Sequence, residues 1–179
     1  MSDFALTKEQ YNEVLRLARA YHREAYRCMD SKAYLAGCIM MGAVLEASLL
    51  AFVNCYPDEA LRSTIAPTKG GIAKPLAHWS FAELLAVAKE QGWLPPGLSL
   101  GEEWNDKKAQ IGDWSEVLRQ IRNLIHPARH MLDLPRKRIT KRYLETSFEI
   151  FEVAVDYLLN KIGESLRAVF EADDEEGDA

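Results

Sequence analysis

The chain contains few of the residues from which disulfide frameworks and metal centres are built. Its 179 residues include three cysteines and four histidines. The cysteines are odd in number and too widely spaced for a CxxC metal motif or a disulfide framework. They predict buried thiols in a reducing cytoplasm, and we expect no metal and no other cofactor. Two histidines, His126 and His130, have helical metal-binding spacing but lack a third ligand, whereas His22 and His78 are predicted to satisfy local packing.

The sequence also lacks strand-like alternation of polar and apolar residues and internal repeats, and we expect no secretory leader. Apolar residues make up 48% of it, which is enough for one globular domain, predicted to cover residues 1–170. Residues 171–179 contain six acids and no base, and we expect them to form a disordered tail. Without that tail, 22 basic and 21 acidic residues nearly balance, so the net charge of −5 does not argue against an RNA substrate.

Apolar residues recur at three- and four-residue steps, which predicts an all-α fold. We expect an antiparallel four-helix up-and-down bundle with one additional short helix. Capping boxes mark the start of the first helix at Thr7 and of the third at Asp113. The predicted long helices are Thr7 to Asp30, Lys32 to Cys55, Asp113 to His126 and Thr140 to Phe170. Residues 56–112 are predicted to be an irregular connection with one short helix from Ser80 to Gln91, which ends at Gly92.

The second helix is apolar from Tyr34 to Val53, a length that would span a bilayer. Glu46 interrupts it, and a carboxylate is costly in hydrocarbon. The central helix of a soluble bundle accounts for the same pattern, so we predict no membrane partner. A buried Glu46 needs a partner, which predicts a supporting role beside Arg119 or Arg122; a place at the bundle surface or a pair with Arg19 fits equally well.

The third helix carries a compact polar ridge opposite its apolar face. At about 100° per residue, four polar side chains of three kinds share one side of this helix. They are Arg119, Arg122, Asn123 and His126. Lysine and glutamate are the usual residues of a solvated face, so this composition indicates a functional site. A histidine that caps a solvated helix, with arginines in ordinary ion pairs, is the competing interpretation.

An arginine, six intervening residues and a histidine, with asparagine three before the histidine, resemble the signature of the HEPN superfamily. Its members are small all-helical domains, many of them metal-independent ribonucleases. The resemblance covers about ten residues and implies that Arg119, Asn123 and His126 are catalytic. Common HEPN toxins have the pattern Arg-Asn-x-x-x-His. Here Arg122-Asn123 lies one residue too close to His126 for that pattern, so Arg119 is the better match and Arg122 the alternative.

The resemblance predicts an endoribonuclease that acts as a homodimer on RNA, as a toxin or defence effector in the cytoplasm. It also suggests a nucleotidyltransferase-type antitoxin as a partner. A non-catalytic helical module that binds a protein or a nucleotide is the alternative. One further basic cluster follows the motif, and it is predicted either to contact the RNA backbone or to be a solvated helix start. Its members are Arg136, Lys137, Arg138, Lys141 and Arg142.

Overall fold

The computed structural model describes residues 4–94, 119 and 139–176, with the side chains of the last helix described as far as Glu164. Within these ranges the protein is all-α apart from one small hairpin, which confirms the predicted fold class. In chain order the elements are α1 Lys8–Asp30, α2 Tyr34–Cys55, α3 Pro57–Arg62, β1 Thr68–Lys69, β2 Ile72–Ala73, a 3₁₀ helix Leu76–His78, α4 Phe81–Glu90 and α5 Lys141–Glu176. The predicted third long helix lies outside the described residues except for Arg119, whose backbone is helical.

The start of α1 is set by local chemistry, as predicted. The Thr7 hydroxyl accepts a hydrogen bond from the Gln10 backbone N–H at 3.2 Å. The Gln10 side chain in turn accepts one from the Thr7 backbone N–H at 2.9 Å. Two backbone donors that a helix start leaves without intrahelical partners are thereby satisfied.

Among the three long helices, α1 runs in the direction opposite to α2 and α5. Near one end of the α1–α2 pair, the Tyr11 hydroxyl lies 3.7 Å from the Cys55 sulfur, so the start of α1 meets the end of α2. Helix α5 runs parallel to α2, because Cys38 and Ser147 meet near the starts of these two helices. Further along both helices, Phe52 of α2 and Leu158 in the middle of α5 line a common cavity. Helix α1 is therefore antiparallel to both α2 and α5.

The core has two parts, and both are built on α2. The larger part packs the second half of α2 against α4, the aromatic residues around α4 and the middle of α5. Trp93 is fully buried there, with its ring centroid 5.3 Å from that of Phe52 in an edge-to-face arrangement. The smaller part joins the first half of α2 to the end of α1 and the start of α5. Helix α2 thus contacts apolar partners along its whole length.

Helix α2 combines high hydropathy with partial burial inside the structure. This helix is long and apolar enough to span a membrane, and 56% of its most apolar window is buried inside the structure.

The expectation that the cysteines are all buried is wrong. Cys38 is buried, Cys28 is half-buried and Cys55 is exposed. Helix α2 is apolar on every side, so its sequence does not indicate which residues face the core.

Parts of the predicted irregular connection are regular. Pro57 begins the short helix α3, where its missing N–H causes no loss. Strands β1 and β2 pair antiparallel across Gly70 and Gly71, which have φ of 63° and 79°. Positive φ at both central residues is the requirement of the tightest hairpin turns, and glycine meets it without strain. Helix α4 lies where it was predicted, with Ser80 as its cap.

Helix α5 is longer than predicted. Its backbone remains helical to Glu176, whereas we expected it to end at Phe170 and a disordered tail to follow. Alanine and glutamate in this stretch are good helix formers, which explains why the helical backbone continues past the last apolar residue. The buried side of α5 includes Leu144, Ile150, Ala154 and Leu158, whereas the aromatic Phe148 remains half-exposed.

Candidate functional site

The described structure contains one member of the polar ridge. Arg119 has helical backbone and a half-buried side chain, as a residue on the exposed side of a packed helix would have. Arg122, Asn123 and His126 lie outside the described residues, and so does His130. The mutual geometry of the proposed catalytic residues therefore stays a prediction.

Glu46, the predicted supporting residue, lies in the middle of α2. Its side chain is half-buried, in a helix whose neighbouring turns supply the fully buried Val44, Leu45 and Leu49. This position is compatible with a partner on a neighbouring helix. Its pairing with Arg119 or Arg122, rather than with Arg19, stays a prediction.

Two residues of the predicted basic cluster, Lys141 and Arg142, form the exposed first turn of α5. The other three, Arg136, Lys137 and Arg138, lie outside the described residues. The Lys141 ammonium lies 2.7 Å from the Glu145 carboxylate. That hydrogen bond is the main reason why the pKa of Lys141 is raised, and an electrostatic interaction with Tyr34 adds to the effect. Lys141 is thus a charged, exposed group at the start of α5.

A cavity of about 580 Å³ opens beside this first turn, where α1 is connected to α2. Such a volume is in the range of small-molecule sites. Its apolar part includes Leu35, Ile39 and Ile139, and its polar part includes Lys32 and the half-buried Tyr34. The sequence analysis missed this cavity, because a lysine and a tyrosine at a break between helices are too common to indicate a site.

Lys32 is held in an unusual backbone conformation at the rim of the cavity. Its φ is 59°, the one positive value among the described residues other than glycine. The Ala33 N–H bonds the Cys28 carbonyl at 2.8 Å and the Lys32 N–H bonds that of Met29 at 3.1 Å, which closes the end of α1. This tight reversal places the lysine at the point where the chain enters α2.

The buried thiol of Cys38 is unsuited to nucleophilic chemistry. Burial raises its pKa to about 11, despite the hydrogen bond donated by the Ser147 hydroxyl at 3.6 Å. A thiol that stays protonated is not a nucleophile. The single proton of this hydroxyl is shared with the Tyr143 carbonyl, which is closer at 2.7 Å, so the contact has a structural role.

The two histidines in the described part of the chain differ in their surroundings. His22 packs against the rings of Tyr26, Phe148 and Phe151 at centroid distances of 5.2, 5.9 and 5.5 Å, which confirms its predicted packing role. His78 is exposed at the end of the 3₁₀ helix, so the same prediction is wrong for this residue. Among the residues that the structure describes, no group of three or more His, Cys, Asp or Glu side chains could hold a metal ion.

Comparison with known proteins adds no relative. No protein-family model, no curated protein and no solved structure matches this chain.

Proposed function

We propose that this protein is a metal-independent endoribonuclease of the HEPN type, with a cytoplasmic role as a toxin or defence effector. The observation that carries the proposal is the spacing of Arg119, Asn123 and His126 on one face of an amphipathic helical segment. The helical backbone and half-buried side chain of Arg119 support it.

The directions of the described helices support a HEPN-like four-helix bundle. In an up-and-down bundle the second and fourth helices are parallel and the first is antiparallel to both. Helices α2, α5 and α1 have these relations. A third bundle helix carrying the motif would run opposite to α2 and α5. His126, at its C-terminal end, would then lie at the end of the bundle where α2 and α5 begin.

The three residue types supply what RNA cleavage without a metal requires. A base removes the proton of the ribose 2′-hydroxyl, and the 2′-oxygen forms a bond to the adjacent phosphorus. The bond from phosphorus to the 5′-oxygen breaks, and an acid delivers a proton to that oxygen. Histidine performs either proton transfer near neutral pH, and arginine stabilises the charged phosphorane through paired hydrogen bonds. Asn123 would orient the imidazole or bond the ribose.

A homodimer would complete the site. One chain offers one motif histidine, whereas the reaction needs two proton transfers. A two-fold axis beside the motif helix would bring two ridges together across a shared cleft. Light scattering that shows a monomer at micromolar concentration would contradict this arrangement. A nucleotidyltransferase-type antitoxin is the protein partner that the HEPN resemblance suggests, and co-expression with a neighbouring gene product of that kind would test it.

The decisive experiment is incubation of the purified protein with total RNA in the presence of a chelator. We expect cleavage to persist and the products to carry a 2′,3′-cyclic phosphate and a 5′-hydroxyl. His126→Ala should lower the rate by about 10²–10⁴-fold, because it removes a proton-transfer group. His78→Ala is the matched control, since this exposed histidine lies outside the motif, and it should leave the rate unchanged.

The arginine assignment needs its own comparison. Arg119→Lys should lower the rate steeply, because an ammonium does not reproduce the planar fork that binds phosphate. Arg122→Ala should have a smaller effect than Arg119→Ala, and equal losses would mean that both arginines are needed. Arg27→Ala, which removes only an exposed pair with Glu24, is the surface control. Activity that a chelator abolishes, or that His126→Ala leaves intact, would refute the mechanism in favour of a binding module.

A further inference from the structure

The cavity at the start of α2 combines features that suit a nucleotide of single-stranded RNA. It has an aromatic side chain, Tyr34, and apolar walls that include Leu35 and Ile139. Proteins that bind single strands combine such stacking surfaces with positive charge along the backbone path. A volume of about 580 Å³ falls within the range of cavities that hold small ligands.

The charges around the cavity favour an anionic ligand. Lys32 lines it, and Lys141 lies two residues after Ile139, which also lines it. Arg142 follows on the same exposed first turn of α5. Glu145 neutralises part of this charge through its pair with Lys141, and Asp30 ends the preceding helix. Among the described residues at this end of the molecule, these three cations outnumber the two acids, and one of the cations, Lys32, lines the cavity.

We propose that this cavity binds one unpaired nucleotide of the RNA substrate, with its base against Tyr34 and its phosphate near Lys32 and Lys141. The inference rests on the proposed function, since it adds a substrate-binding subsite to the same enzyme. The proposed bundle direction would place the catalytic histidine at this end of the molecule. A base held here would favour single-stranded over double-stranded RNA, because a paired base cannot enter the cavity.

Binding of a fluorescein-labelled single-stranded RNA decamer, measured by fluorescence anisotropy, tests the proposal. The full chain carrying His126→Ala serves as the parent, so that cleavage does not interfere. Tyr34→Leu should weaken binding by about 5- to 100-fold, the range that loss of one base–aromatic stack gives. Tyr34→Phe retains the ring and should bind within about 2-fold of the parent.

A second pair of variants is safe for folding. Ala36 is exposed, lines the cavity and lies in the first turn of α2. Ala36→Glu adds a carboxylate that favours the helix start but repels phosphate, and it should weaken RNA binding at least about 5-fold. Ala36→Gln has nearly the same shape without the charge and should bind like the parent. Equal affinities for the Glu and Gln variants would overturn the proposal.

Two further tests concern the charge of Lys32 and whether the ligand is RNA or a free nucleotide. Lys32→Gly suits the positive φ and removes one cation, so it should reduce the slope of log affinity against log salt by about 0.7. Lys69→Ala, in the distant hairpin, should leave that slope unchanged. Adenosine or uridine monophosphate that binds as tightly as the decamer would show a free-nucleotide site and overturn the RNA assignment. So would a duplex that binds as tightly as the single strand.

The outcomes separate this inference from the proposed function. RNA binding that depends on Tyr34, without cleavage by the unmodified chain, would support the subsite and refute the nuclease. Cleavage that depends on His126, with binding unaffected by Tyr34→Leu and Ala36→Glu, would refute the subsite alone.

Discussion

Replacing Gly37 by alanine tests the closest approach between the helices. A Cβ at this position would clash with both Leu144 methyl carbons and lie 3.2 Å from the Cys28 Cβ. Contacts this short require a neighbour to move. Leu144 is fully buried, so its side chain has little room to do so. The glycine is therefore what allows α1, α2 and α5 to meet at this end of the molecule.

The change in the free energy of unfolding caused by Gly37→Ala is the difference between two opposing effects. Overpacking a core position costs about 1–3 kcal/mol, while alanine in place of glycine inside a helix gains about 1 kcal/mol. Two neighbours are crowded at once, so the upper half of the overpacking range applies. We expect Gly37→Ala to lower the free energy of unfolding by about 1–2 kcal/mol, which lowers the Tm by about 2–8 °C for a chain of this size.

Gly163 provides the matched control. It also lies within a helix, α5, but a Cβ there would meet no atom within 4 Å. Gly163→Ala should therefore raise the Tm by about 2–4 °C. Both variants would be melted at one protein concentration by far-ultraviolet circular dichroism, because an oligomer's Tm depends on concentration.

A double variant identifies the cause. Leu144→Ala alone should cost about 2–5 kcal/mol. Adding Gly37→Ala to it should restore stability, because the alanine methyl then meets space in place of the Leu144 methyls. A Gly37→Ala protein that gains stability, as the Gly163 control should, would refute the close packing of α2 against α5.

Three further predictions concern single groups. Iodoacetamide should modify the exposed Cys55 rapidly, and Cys38 only on unfolding because burial raises its pKa to about 11; equal native rates by mass spectrometry would contradict its burial. Burial raises the pKa of Glu83, but the Lys74 ammonium at 2.6 Å and the hydrogen bonds from Ser80 lower it by more. The net effect is a lowered pKa. The stability from this lowered pKa is complete above about pH 4.3, the free-glutamate value, and is lost as pH falls through the folded pKa. Urea titrations should thus show a steeper acid loss in the unmodified chain than in Glu83→Gln, and parallel curves would contradict the pair. Truncation after Phe170 should leave the Tm nearly unchanged, because acids at a helix C-terminus oppose its dipole; a large fall would mean that the tail docks.

Local chemistry predicted some boundaries well. The capping box at Thr7 set the start of α1. Gly92, with φ of 68°, ends the helical course of the chain just after α4. Each signal lies within one turn of the boundary that it determines. The hairpin at residues 68–73 was missed, because strands of two residues are too short for an alternating pattern.

The sequence by itself determined the all-α class, the helix starts with capping boxes and the spacing of Arg119, Asn123 and His126, because these depend on residues a few positions apart. Tertiary structure alone decided which cysteine is buried, which face of α5 enters the core and that Lys32 and Tyr34 line one cavity with Ile139. Those features depend on contacts between residues about a hundred positions apart, such as Cys38 with Ser147. The physical reason is that an evenly apolar helix such as α2 packs in any rotation, and only its neighbours select one.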